Sequence, residues 1–321
     1  MEVQVAAERQ WLAPFAVDVR RVLAVHRRGG GDPAFLVGGD GAIWRACRTP
    51  DGPGTIRLAW RAVRTAEQPA PPRLGGRATS VDAAAWGPGA GWLLDSLPGL
   101  LGEGDRPEDF VPVHPALRDA VRRYPAVRIG RTGLVFEALV PAVLEQKVVG
   151  MEATRAWRTL LRRFGEPAPG PVPAGLRVPP APATWASIPS WDWHLAGVEA
   201  VRARTIAIAA RVADRLEEIT SLGPDQADRR LQTLPGIGPW TSAEVRQRAC
   251  GDADAVSVGD YHLPSIVGWA LAGRVVDDAG MLELLAPYQG HRHRASILAG
   301  LTGASPPRRA PRMAVRDYRR I

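Results

Sequence analysis

The sequence has almost no lysine. Lys147 is the only one among 41 basic residues, so side-chain amine chemistry has a single possible source. Cysteine is nearly as scarce. Cys47 and Cys250 stand far apart in the chain, which excludes a four-cysteine iron–sulfur or zinc site. Two buried free thiols in a reducing compartment are the expectation for them. No run approaches the ~20 apolar residues of a membrane span, and the N-terminal MEVQVAAERQW lacks the charged-then-apolar layout of a secretory signal. A nucleotide-binding loop is missing too. WGPGAGW at 86–92 imitates one, but no strand plainly leads into it and no Lys-Ser/Thr follows. Nor is a metal site expected. His291 and His293 alternate in HRHR, where the pattern reads as helical, and alternate helical residues point apart.

What the chain does have is size, ordinary polarity and positive charge. Its 321 residues suffice for two or three packed lobes. Hydrophobic residues make up 45% and charged residues 23%, as in a globular protein. The net charge of +8 favours a polyanionic partner. Up to about residue 85, residues 34–37, 42–47 and 55–63 carry apolar side chains at alternate positions, and DGPG at 51–54 reads as the hairpin between the last two. This predicts a small α+β or β-rich domain. Residues 68–76 and 167–189 are dense in proline and read as loops, the second a surface spacer. Helical spacing recurs at 134–143, 157–164, 198–219, 261–272, 281–285 and 295–301. The tail after 305 is basic and poor in apolar residues, either a phosphate-contacting arm or a solvated end.

The most informative stretch is LPGIGPWT at 234–241. Gly236 and Gly238 make a tight turn between two helical segments, leaving free backbone N–H groups at a helix N-terminus, where a phosphate is well received. Taken alone, the turn reads first as a glycine-turned αα-hairpin of the kind common in helical proteins. DSLPGLLG at 95–102 imitates it but runs into a charged Gly/Asp/Pro stretch, so it is not read as a second hairpin.

LPGIGPWT followed by VGDYHL at 258–263, with FEALVPAVLEQKVVGMEA at 136–153, resembles the helix-hairpin-helix DNA glycosylases, and within them the 3-methyladenine DNA glycosylase II branch. The resemblance covers about 87–301. It implies a mainly helical fold with an N-terminal α+β sheet domain at 1–87. One helical lobe would comprise 88–135 with 253–305, and the other 136–252, carrying the helix-hairpin-helix at about 228–250. Residues 306–321 form the basic tail. The implied activity is hydrolysis of the N-glycosidic bond of alkylated purines, of the 3-methyladenine and 7-methylguanine type, flipped out of duplex DNA. The implied protein is a monomer without membrane contact, cytoplasmic and associated with a bacterial-type nucleoid. It needs no cofactor beyond a monovalent cation on the hairpin carbonyls.

Residue by residue, the resemblance places Asp260 as the catalytic carboxylate facing C1′; without it, Asp260 reads as a helix-capping aspartate. One carboxylate suffices where the leaving base is already cationic, because the need that remains is to stabilise an oxocarbenium-like sugar. Trp240 occupies the point where lyase relatives have lysine, so it is a stacking wall for the base or a buried core Trp. Glu244, one turn on, is a pocket residue or solvent-facing. Tyr261 is core or pocket wall, His291 lies near a pocket position, and Arg292 lies near the sugar-phosphate. Gln146 and Lys147 fall at the duplex-probing position, where Lys147 is a wedge, a phosphate contact or a surface residue. Leu234, Pro235, Gly236, Ile237, Gly238 and Thr241 form the phosphate-binding hairpin. Asp252 and Asp254 are expected to face solvent, and His114, His194 and His262 have no evident partner. Two rivals remain: a hairpin protein that only binds DNA, and a glycosylase/lyase using Lys147.

Overall fold

The computed structural model describes residues 7–63 and 78–304. The Pro/Gly-rich stretch expected at 68–76 and the basic tail lie outside the described residues. The described residues begin with strand β1 (Ala7–Ala13) and a short helix, α1 (Val19–Ala24). Strands β2 (Phe35–Val37), β3 (Ile43–Thr49), β4 (Gly52–Val63) and β5 (Ala78–Trp86) follow. They form one antiparallel sheet in the order β1-β5-β4-β3-β2. The β3–β4 turn is Pro50–Asp51, with Thr49 paired to Gly52. Helix α2 (Ala90–Leu100), expected in a helical lobe, instead buries Leu93, Leu94, Leu97 and Leu100 in the same core as the sheet. The sheet unit therefore extends to Leu101.

The remainder is helical: α3 (Pro115–Arg123), α4 (Val135–Leu144) and α5 (Gly150–Phe164) come first. The proline-rich segment that follows is not a surface spacer. It forms a two-stranded ribbon, β6 (Glu166–Pro167) with β7 (Arg177–Val178), and then helix α6 (Pro182–Ser187), with Pro182 in the first helical turn, where its missing N–H costs nothing. Ala168, Leu176, Val178, Trp185 and Ile188 are buried, which fixes the segment against the body. Helices α7 (Ser190–Leu195), α8 (Ala200–Arg211), α9 (Ala213–Glu217), α10 (Pro224–Gln232) and α11 (Pro239–Val245) complete the lobe around the apolar α4. Helices α12 (Leu263–Ala272), α13 (Asp278–Leu285) and α14 (Arg292–Leu301) then return to α3 and share a third core with it. In that core His114 finds its partner, its Nδ1 lying 2.5 Å from the Tyr288 hydroxyl.

The sheet is bolted to the α4 lobe by buried polar contacts. Asp32 accepts from the Trp157 indole at 2.8 Å, Arg45 pairs with Glu137 at 2.5 Å and Arg28 with Glu145 at 3.1 Å. The N-terminus of α4 is capped from a distance by Glu217, which accepts from the amides of Val135 and Phe136 at 2.7 and 2.9 Å. Burial raises the Glu217 pKa, against the opposing pull of those two amides. Among the described residues no helix is long and apolar enough to cross a membrane.

Candidate active site

The hairpin turn joins α10 to α11. Gly236 has φ +87°, and a Cβ there would collide with the Thr205 hydroxyl on α8, so both backbone and space demand glycine. Gly238 is different. Its backbone is extended, and a Cβ would meet nothing within 4 Å, so this side of the turn is open. Ile237 is buried and roots the turn in the α4 lobe, while Pro235 is exposed and Leu234 half-buried. Pro239 starts α11, and no side chain caps its first turn. The amides there are free to face a ligand.

The probing segment reaches the same turn. Gln146, just past the end of α4, donates from Nε2 to the Gly236 carbonyl and to Thr241 Oγ1, both at 2.9 Å. Lys147 is exposed and has φ +54°, the only positive value among the described non-glycine residues. Such a conformation costs about 1–3 kcal/mol and persists where the surroundings enforce it.

Asp260 lies opposite α11. Its Oδ1 accepts from the amides of His262 and Leu263 at 2.7 and 2.8 Å, capping α12, and its Oδ2 accepts from the Trp240 indole N–H at 3.1 Å. Capping and orientation toward the hairpin helix thus coexist in one side chain. Tyr261 is not a core residue. It is 84% exposed, and its ring stands edge-on to His262.

The loop from Gly251 to Asp260 runs back along α11 and its continuation, a π-helical turn at Arg246–Cys250. Asp252 and Asp254, expected to face solvent, are held inside by arginines. Asp252 pairs with Arg246, and Asp254 accepts from Arg292 Nε at 2.8 Å and Nη2 at 2.5 Å. Burial would raise the Asp254 pKa, but the hydrogen bonds from Arg292 outweigh it and leave the group below its ordinary value. Arg292 is correspondingly raised, chiefly by its hydrogen bond to Asp254. Most of its guanidinium is therefore committed within the protein. Further along, Gln247 donates to the Ala255 carbonyl and to Ser257 Oγ, both at 2.9 Å, and the Ser257 hydroxyl donates to Glu244 Oε1 at 2.6 Å. Glu244 is 9% exposed, and its Oε2 pairs with Arg248 at 2.7 Å.

His291 stands near this region, half-buried and edge-on to Phe110; burial, then Arg294, lowers its pKa. His293 is pushed down to about 3 by burial and by the charges of Arg248 and Arg294. Among the described residues no cluster of three or more His, Cys, Asp or Glu could hold a metal ion. Sequence reasoning missed Ser257 and Arg248. The Glu244–Arg248 spacing of four was a usable signal for one; nothing local marks the other.

No protein-family model matches the chain. It is 36% identical over 152 residues to a probable bifunctional transcriptional activator/DNA repair enzyme AlkA of Mycobacterium tuberculosis, covering 46% of this chain. The match spans 30% of that relative's length. Among solved structures, a 3-methyladenine DNA glycosylase of Archaeoglobus fulgidus superposes with a TM-score of 0.68 at 18% identity, over 91% of this chain and 96% of that one. An 8-oxoguanine glycosylase/lyase of Clostridium acetobutylicum gives 0.65 at 12% identity, over 95% and 100%. At these identities the structures establish the fold, and the sequence likeness covers less than half of this chain. The chain has the fold of these DNA glycosylases, and over 152 residues its sequence is similar to the AlkA relative.

Proposed function

We propose that the chain is a monofunctional base-excision DNA glycosylase that hydrolyses the N-glycosidic bond of alkylated purines in duplex DNA. The observation that carries this reading is Asp260: a carboxylate held by two amides on one oxygen and by the Trp240 indole on the other, one helix away from an open glycine hairpin. In this reading the hairpin amides take a phosphate beside the lesion, independently of sequence. The flipped nucleotide presents C1′ to Asp260, with Trp240 beside its base. The C1′–N bond breaks with its electron pair going to the base, which loses its positive charge. Asp260 stabilises the sugar cation, and water adds at C1′, giving up a proton.

Trp240 in place of lysine supports hydrolysis over Schiff-base chemistry, since the chain's single lysine sits on the probing turn instead. The carbonyls of Leu234 and Gly236 accept from the Ile237 amide and Gln146, and each keeps a second lone pair. That fits a monovalent cation, which would present positive charge to the phosphate. The reading places the protein, as a monomer, on nucleoid DNA in the cytoplasm. The test is release of free methylated purines from alkylated duplex DNA. The native chain should release them without forming a borohydride-trapped adduct. Asp260→Asn should release none while binding the duplex as well or better. Excision by that variant would refute the assignment.

A further inference from the structure

Glu244 is the residue whose surroundings depart furthest from a ligand-reading role. It lies one turn from Trp240 on the face of α11 that meets the Asp260 loop, yet its carboxylate is closed off. One oxygen holds the Ser257 hydroxyl and the other Arg248, whose Nη1 also bonds the Glu244 carbonyl at 2.9 Å. The loop and the helix run in opposite directions and are fastened at successive points. Gln247 meets Ala255 and Ser257, Glu244 meets Ser257, and Trp240 meets Asp260. Ser257 itself is 4% exposed. Between Ser257 and Asp260 lie only Val258 and Gly259. The amide of Gly259 is tied to the Asp278 carboxylate at 3.1 and 3.2 Å, and the Asp260 amide bonds the Ser257 carbonyl at 3.2 Å. Any displacement of Ser257 is therefore passed to the carboxylate through two residues.

We infer that Glu244 is a positioning residue for Asp260: with Arg248 as its buried counter-ion, it latches the catalytic loop to α11 through Ser257 and so sets where the Asp260 carboxylate stands. The inference rests on the reading of Asp260 as the catalytic carboxylate. A hydroxyl bonded to a carboxylate is roughly twice as strong as a neutral pair, which suits a latch that must hold a loop between two lobes. The arrangement separates two tasks along one helix. The indole of Trp240 faces the reacting end, whereas Glu244 acts behind it, on the loop, and takes no part in choosing the base.

The experiment compares Ser257→Ala, Glu244→Gln and the double variant with the native full-length chain. It measures kcat and KM for methylpurine release, the ratio of 3-methyladenine to 7-methylguanine released, and amide hydrogen exchange at His262 and Leu263. The inference expects kcat to fall about tenfold, KM to stay within twofold, and the base ratio to stay constant. The double variant should be no worse than Glu244→Gln alone. His262 and Leu263 should exchange faster as Asp260 loosens. Glu244→Gln leaves Arg248 without its counter-charge and can unfold the chain; Ser257→Ala keeps that pair and carries the test by itself. Unchanged kcat in folded Ser257→Ala overturns the inference, and so does a shifted base ratio in folded Glu244→Gln. If the native chain releases no methylated purine, the glycosylase reading falls. The exchange rates then still decide the latch, since unchanged protection in Ser257→Ala overturns it.

Discussion

The indole of Trp240 combines a π-face with a donor, and only the donor touches Asp260, at 3.1 Å. Trp240→Phe keeps an aromatic face and removes the N–H. One hydrogen bond to a charged group is worth about 1.5–3 kcal/mol, so kcat should fall roughly tenfold or more with KM little changed. Steady-state kinetics on alkylated duplex would show instead a raised KM if stacking were the main contribution. Lys147 invites a second substitution. Glycine adopts φ +54° without strain, so Lys147→Gly should raise the thermal midpoint while lowering excision, if the side chain serves the duplex. A scan of melting temperature beside the excision rate checks both signs. The sequence marked these positions because each is a local exception: a tryptophan after the hairpin, a lone lysine. It could not show that the indole N–H bonds Asp260, a contact between residues 20 apart, or that Lys147 is left-handed.

Elements were legible where their signal is local. The glycine hairpin, the apolar face of α4 and the antiparallel β3–β4 pair each follow from a few adjacent residues. The proline-rich ribbon was not, since Ala168, Leu176 and Val178 gain order only by packing against a core that includes Ala46 in β3. The capping of α4 by Glu217 was equally hidden, as 81 or 82 residues separate the partners. In the hairpin, Gly236→Ala should destabilise the protein by about 1–3 kcal/mol and weaken DNA binding. Thr205→Ala in the same chain removes the collision but not the φ cost, so it should restore part of the stability; denaturant midpoints would show this. At the start of α14, His293 has a pKa of about 3 when folded and an ordinary one near 6.5 when unfolded. Between those values the unfolded chain binds the extra proton, so stability falls as pH drops from above 6.5 toward 3. His293→Gln should flatten that part of the melting-temperature profile relative to the native chain.

At the scale of the whole molecule, the count of 41 basic residues overstates what is free to meet DNA. Arg45, Arg246 and Arg294 are spent on Glu137, Asp252 and Asp105 inside the fold, and Arg292 is mostly taken by Asp254. These pairs join sheet to lobe and loop to helix, so they cannot swing out to a phosphate without loosening the site. On the proposed function, the arginines that meet DNA are outward ones, together with the hairpin amides, and the amides carry no net charge to exchange for counterions. Each phosphate neutralised by a cationic side chain contributes a slope of about −0.9 to log K against log salt. Binding to undamaged duplex should therefore weaken with salt at a slope of a few units, well short of the roughly −7 that eight contacts would give. On the proposed function, Asp260→Asn should bind as well or better at every salt concentration with the same slope, because a carboxylate at C1′ displaces no counterion. Fluorescence anisotropy across a salt series distinguishes the cases. A slope steeper than about −7 would mean that more than eight cationic side chains meet phosphates, and a changed slope in Asp260→Asn would place that carboxylate among the phosphate contacts instead of at C1′.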